Sequence, residues 1–142
     1  MIGLQGSGKT EYSKRFLLNG EVVHVNLDTL HTRNKEQLLL NECFEKEKSM
    51  VIDNTNPAKD DRQRYIVQGK ANGYRIAGLY MQSILKDCIE RNNKREGKAR
   101  VPVKAIAATS NKLELPDYAE GFDELYYIHN DGNIMWKEEW KE

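Results

Sequence analysis

Long apolar runs, clustered cysteines, clustered histidines and a surplus of either charge are all missing from this chain. No stretch approaches the roughly 18 apolar residues that a membrane-crossing helix needs, so no membrane partner is expected. No basic opening followed by an apolar segment marks a secretory signal. The two cysteines, Cys43 and Cys88, lie far apart and form no C-x-x-C. That pattern reads as two free thiols in a reducing, cytoplasmic setting. The histidines are scattered and make no metal cluster. Twenty-two basic residues balance twenty-two acidic ones. Any contact with a polyanion must therefore come from a local cluster rather than from the global field. No internal repeat or low-complexity tract stands out.

What is present is a chain of 142 residues, 31% of them charged. The length suits one domain with a real core and is short for two. Its loudest local signal comes first. Gly3-Leu4-Gln5-Gly6-Ser7-Gly8-Lys9-Thr10 fits G-x-x-x-x-G-K-[ST] at every fixed position. Glycines at 3, 6 and 8 let the backbone curl and turn successive N–H groups inward, making an anion nest at a helix N-terminus. Lys9 would supply a point charge for the β- and γ-phosphates, and Thr10 a hydroxyl for Mg²⁺. Gly3, Gln5, Gly6, Ser7, Gly8, Lys9 and Thr10 are the candidate nucleotide-binding residues. The bland alternative is a Gly-rich turn that happens to hold Lys-Thr.

Downstream, helix and strand patterns alternate. Helices are expected over Gly8–Leu18, Thr29–Lys48, Pro57–Asn72, Ser83–Glu96 and Pro102–Leu113. Strands are expected over Glu21–Asp28, Met50–Asp53, Tyr74–Tyr80, Glu124–His129 and Asn133–Trp140, with Asp131-Gly132 as a hairpin turn. Such alternation argues for right-handed βαβ units. The fold class is α/β: a P-loop kinase-like, mostly parallel sheet flanked by helices. Only Met1 and Ile2 precede the loop, so its leading strand is expected to be short or truncated.

Two acids end apolar runs. Asp28 closes the second predicted strand, where carboxyl-edge positions face a ligand crevice. There it could act as the base that takes a hydroxyl proton, or serve as a helix N-cap, or both. Asp53 follows Met50-Val51-Ile52. It could help hold Mg²⁺, or order the Asn54–Asn56 turn through backbone N–H groups. Further on, Arg91 to Arg100 holds five basic residues in ten. Arg91 and Arg95 are four apart and would share a helix face. Their planar forks suit a lid over phosphates. A solvated charged face is the alternative.

Together these residues give the chain a resemblance to the 5′-polynucleotide kinase family of P-loop phosphotransferases, from roughly Gly3 to Phe122. The family includes phage enzymes and the kinase half of eukaryotic polynucleotide kinase/phosphatases. The matching pieces are GLQGSGKT; Val25-Asn26-Leu27-Asp28-Thr29-Leu30, similar to V-N-R-D-T-L; and Val51-Ile52-Asp53-Asn54-Thr55-Asn56-Pro57, similar to I-D-N-T-N-P. Arg91-Asn92-Asn93-Lys94-Arg95 with Val101-Pro102 looks like the phage lid, and Ala119-Glu120-Gly121-Phe122 looks like the eukaryotic A-E-G-F.

The resemblance implies a single P-loop kinase domain over 1–142, with a lid around 91–101. It implies ATP and Mg²⁺ as cofactors and nucleic acid 5′ ends, DNA or RNA, as partner. Lys9 and Thr10 would serve ATP·Mg²⁺, Asp28 would be the base for a 5′-hydroxyl, and Arg95, with Arg91 as companion, would reach the phosphates. Asp53 and Asn54 would form the polar site after the third predicted strand. Leu27 stands where the family has arginine before the base, and His31 where phage enzymes carry an acceptor-binding arginine. Arg33, two residues on, would project about 200° around a continuous helix from that spot. His31 and Arg33 are nonetheless the candidates for acceptor contact. No phosphatase domain is expected within 142 residues. The alternatives are a P-loop kinase for a small-molecule hydroxyl, or a nucleotide-binding module without transfer.

Overall fold

A computed structural model describes residues 1–141. Strand β1 (Val23–Val25) pairs in parallel with β2 (Met50–Ile52), His24 lying opposite Val51. Strand β3 (Ala77–Met81) pairs in parallel with β4 (Glu124–Asn130), which turns through Asp131-Gly132 into antiparallel β5 (Met135–Glu139). Between these two sheets lie the first two residues. The Met1 amine donates to Ile52 O (2.9 Å). Ile2 N donates to Leu79 O and Met81 N to Ile2 O, both at 2.8 Å. The leading strand is thus a single parallel bridge, Ile2 to Tyr80, lying between β2 and β3. The fold class is as expected: α/β, P-loop kinase-like, with parallel pairing except in the last hairpin.

Helix α1 (Lys9–Tyr12) runs on as one π-helical turn over Ser13–Leu17. Its Tyr12 packs with Leu79 and Met81 of β3 and Ile128 of β4, which share one sheet face, and with Met135 at the start of β5. A second cluster holds Leu4, Cys88 and Ile106, beneath α5 (Leu85–Asn93) and α6 (Val103–Lys112). Both cysteines are free and buried.

Several boundaries differ from the sequence reading. The predicted Glu21–Asp28 strand stops at Val25, because Asn26 turns the chain: its side chain accepts the N–H of Asp28 (2.8 Å) and caps α2 (Leu27–Leu30). The predicted Thr29–Lys48 helix is two helices. His31 takes a left-handed φ of 71°, and Thr32 caps α3 (Arg33–Glu45) by accepting Lys35 N. Helix α4 (Lys59–Ala71) starts at Ala58, whose N–H is held by Asp61, rather than at Asn56. Asn56 instead donates to Met1 O (2.9 Å). Ser83 does not cap α5; its hydroxyl accepts Leu4 N and donates to Met81 O. Helix α5 ends at Asn93, three residues earlier than its pattern suggests.

Candidate active site

The loop from Gly3 to Thr10 leaves the Ile2 bridge and enters α1 at Gly8, which sits in the left-handed region at φ 96°. Gly6, at φ 82°, could carry no side chain: a Cβ there would lie 2.4 Å from Cys88 O. Two of the loop's carbonyls are tied from outside. Arg91 Nη1 donates to Gly6 O (3.1 Å), and Asn130 Nδ2 donates to Ser7 O (2.9 Å). Carbonyl and N–H point opposite ways across a trans peptide unit, so the second bond turns Gly8 N–H away from Asn130. Lys9 is buried, and its Nζ donates to Gly3 O (3.0 Å) and Leu4 O (2.9 Å). Burial lowers its pKa to about 8, against the opposing pull of Asp53. Among the described residues, the buried Ser7 hydroxyl and Gln5 Oε1 have no hydrogen-bond partner.

Asp53, just past β2, is buried beside this loop. One of its oxygens, Oδ2, takes Thr10 Oγ1 at 2.7 Å, His24 Nε2 at 2.7 Å and Asn26 Nδ2 at 3.3 Å. The other, Oδ1, is buried with no partner among the described residues. Burial alone would raise the carboxyl's pKa; hydrogen bonds from Thr10 and His24, with the charge of Lys9, hold it below the usual range. The turn-ordering alternative is not what the side chain does: no backbone N–H of Asn54–Asn56 reaches it.

Asp28 lies in the first turn of α2, exposed. It neither closes a strand nor caps a helix; Asn26 does the capping. Its backbone N–H is tied to Asn26, whose amide also reaches Asp53, so α2 starts beside that acid. Asn54 steadies α2 by accepting Leu27 N (3.0 Å) and donates to Glu36 Oε2 and Tyr65 OH, both at 3.1 Å. Arg33 is half-exposed, its Nη1 on buried Glu36 (3.0 Å) and on Tyr65 OH (2.8 Å). The break at His31 removes the continuous helix on which the 200° projection of Arg33 was reckoned. His31 itself is exposed.

Arg91 and Arg95 do not share a helix face. Arg91 lies in α5, with both terminal nitrogens on backbone, Gly6 O and Asn130 O. Arg95 lies beyond the helix end, exposed, with a single long bond to Ala99 O (3.4 Å). Asn92 closes the exposed 93–100 loop at its base. Its fully buried amide donates to Val101 O (2.7 Å) and accepts Val101 N (2.9 Å).

A family model described as an AAA domain matches residues 1–116, a span that takes in the loop, both acids and the 91–101 segment. The chain belongs to this family. It is similar to a protein of Acanthamoeba polyphaga mimivirus named putative bifunctional polynucleotide phosphatase/kinase. The two are 31% identical over 149 aligned positions, which cover 99% of this chain and 35% of that protein. It is also similar to the bifunctional polynucleotide phosphatase/kinase of Schizosaccharomyces pombe, 28% identical over 126 positions covering 86% of this chain and 31% of the relative. The chain therefore spans about a third of the length of these curated relatives.

Around this site, sequence reasoning missed four supporting groups, three of them inside the matched 1–116 span and Asn130 beyond it. His24 and Asn26 reach Asp53 from β1 and its end; Asn92 clasps the loop base; Asn130 holds the P-loop from β4. Of these, only Asn26 carried a legible signal, as a small polar residue two positions before a helix's first acid.

Proposed function

We propose that this P-loop domain transfers the γ-phosphoryl group of ATP to the 5′-hydroxyl of a polynucleotide. Residues 1–142 act as one domain with a lid around 91–101. The observation that carries the reading is the Thr10–Asp53 pair beneath the loop, with Asp28 two residues beyond Asn26, which itself bonds Asp53. Lys9 would exchange its two carbonyl partners for β- and γ-phosphate oxygens. Thr10 spends its only proton on Asp53, which leaves its lone pairs free for a cation. Asp53 Oδ1 is a buried oxygen without a partner among the described residues. An all-oxygen pair of this kind fits Mg²⁺, which proteins bind through one or two carboxylates plus substrate phosphates. No cluster of three or more His, Cys, Asp or Glu offers a self-sufficient cage among the described residues. When bound, Mg²⁺ would neutralise charge on the phosphates.

Asp28 takes the proton of the 5′-hydroxyl. The 5′ oxygen forms a bond to the γ-phosphorus while the bond to the β–γ bridging oxygen breaks, and ADP leaves with that electron pair. Arg95 approaches the phosphoryl oxygens from the lid, and Arg91 acts through the loop backbone it holds. His31 and Arg33 lie next to α2 for the acceptor strand. Transfer of labelled γ-phosphate to 5′-hydroxyl DNA and RNA oligonucleotides, beside a panel of nucleosides, tests the reading. Absence of transfer to every oligonucleotide overturns it. The zero net charge favours a second reading, a small hydroxyl acceptor. An acceptor affinity that is insensitive to salt would select it.

A further inference from the structure

We propose that His24 is a positioning residue: by donating from Nε2 to Asp53 Oδ2, it orients that carboxylate so that Oδ1 faces the cation that accompanies the nucleotide. The inference rests on the functional reading only in its nucleotide-binding part and not on the identity of the acceptor.

The three contacts on Asp53 are unequally divided. Thr10, His24 and Asn26 all converge on Oδ2, at 2.7, 2.7 and 3.3 Å, and none touches Oδ1. An ionised carboxylate only accepts hydrogen bonds, so the proton of the His24 contact sits on Nε2. Turning the carboxylate plane away from this orientation would stretch all three contacts at once in a buried site, leaving the outward oxygen aimed elsewhere. The three donors do not constrain it equally. Thr10 is itself placed to meet the cation. Asn26 is stretched at 3.3 Å and is also committed to Asp53 O at 3.1 Å and to capping α2. His24 is therefore the one short contact with no other bond described for its side chain. It stands on β1, in register with Val51 of β2, so the parallel pair carries donor and acceptor to the same sheet end. The backbone confirms that alignment: Asp53 N donates to Val25 O at 2.8 Å. Partners of this kind, one step removed from a metal, typically cost 10–100-fold in metal affinity when lost.

The reacting nitrogen makes the proposal specific. A glutamine amide nitrogen can stand where histidine Nε2 stands, whereas an asparagine amide reaches only as far as Nδ1. The experiment compares wild type with His24→Leu, His24→Asn and His24→Gln. It measures Mn²⁺ binding by electron paramagnetic resonance in the presence of a non-hydrolysable ATP analogue, together with analogue binding in EDTA and the melting temperature. The expected result is Mn²⁺ affinity about 10-fold or more weaker in His24→Leu and His24→Asn. His24→Gln should restore it, and metal-free analogue binding should be unchanged throughout. Wild-type Mn²⁺ affinity in His24→Leu would overturn the proposal. So would equal loss in the asparagine and glutamine variants, which would mean that the ring matters only by packing. If His24→Leu does not fold, the asparagine–glutamine pair decides alone, and equal affinities in that pair overturn the proposal. A wild-type protein that binds the analogue but shows no Mn²⁺ site overturns this proposal alone. One that binds no analogue overturns the nucleotide reading beneath it.

Discussion

The loop side and the proposed lid side of the site are built in opposite ways. On the loop side Lys9, Ser7 and Asp53 are buried, and Gly6 and Ser7 carbonyls are tied by Arg91 and Asn130. On the lid side Asp28, His31 and every residue from Asn93 to Arg100 are exposed, and Arg95 keeps one long bond. The difference teaches how the proposed work divides. Gripping a polyphosphate needs N–H groups and charges already fixed in place, since ordering them at binding would cost affinity. Admitting a polymer end needs an open surface, and a lid can tighten only if few contacts hold it back.

The sharpest way to break this contrast is Asp28→Ala. The side chain is exposed and caps nothing, so its loss should leave melting and ATP binding alone. Transfer should fall by about 10²–10⁴-fold in kcat. Near-normal end-labelling by that variant would remove Asp28 from the chemistry. Next comes Arg95→Ala, for which we expect a loss of roughly 10²–10³-fold in kcat with an unchanged melting temperature. Arg91→Ala should behave differently although it is also an arginine of the 91–95 run. It releases two backbone carbonyls, so denaturant unfolding should show a loss of about 1–3 kcal/mol along with weaker nucleotide binding. Equal behaviour of the two arginines would erase the distinction between lid and loop.

The smallest expected effect is on pH. Lys9 has its pKa lowered to about 8 in the free protein, chiefly by burial. Phosphate binding favours the ammonium form and raises that pKa. The contribution of Lys9 to affinity is therefore full below about pH 8 and declines above it. Calorimetry in buffers of different ionisation enthalpy should show proton uptake on ATP binding near pH 8. An affinity that is flat between pH 7 and 9 would show that the buried ammonium is not what meets the phosphates.

Legibility in the sequence followed the range of the interaction. The loop could be read because its glycines answer a local backbone demand, as the φ values of Gly6 and Gly8 show. The strand–helix alternation could be read because burial imposes a period on each segment. What failed was set by single side chains bonding to their neighbours. Asn26 ended β1 early, Thr32 restarted a helix that apolar spacing had drawn as continuous, and α5 stopped before Arg95. The Arg62–Glu120 ion pair, 2.8 Å apart and buried, joins α4 to the A-E-G-F segment across 58 positions. No local pattern announces it.

Taken alone, the order of residues determined the anion nest, the two acids, the basic run and the α/β class, since each depends on neighbours within a turn or on one repeating period. Only the tertiary structure decided that Oδ2 of Asp53 is crowded while Oδ1 has no partner among the described residues, that Arg91 holds the loop while Arg95 makes a long bond to Ala99 O, and that His24 bonds Asp53. The physical reason is that these are contacts between segments far apart in the chain, created when β1 and β2 pair and α5 packs against the loop, and a one-dimensional pattern holds no record of which distant groups will meet.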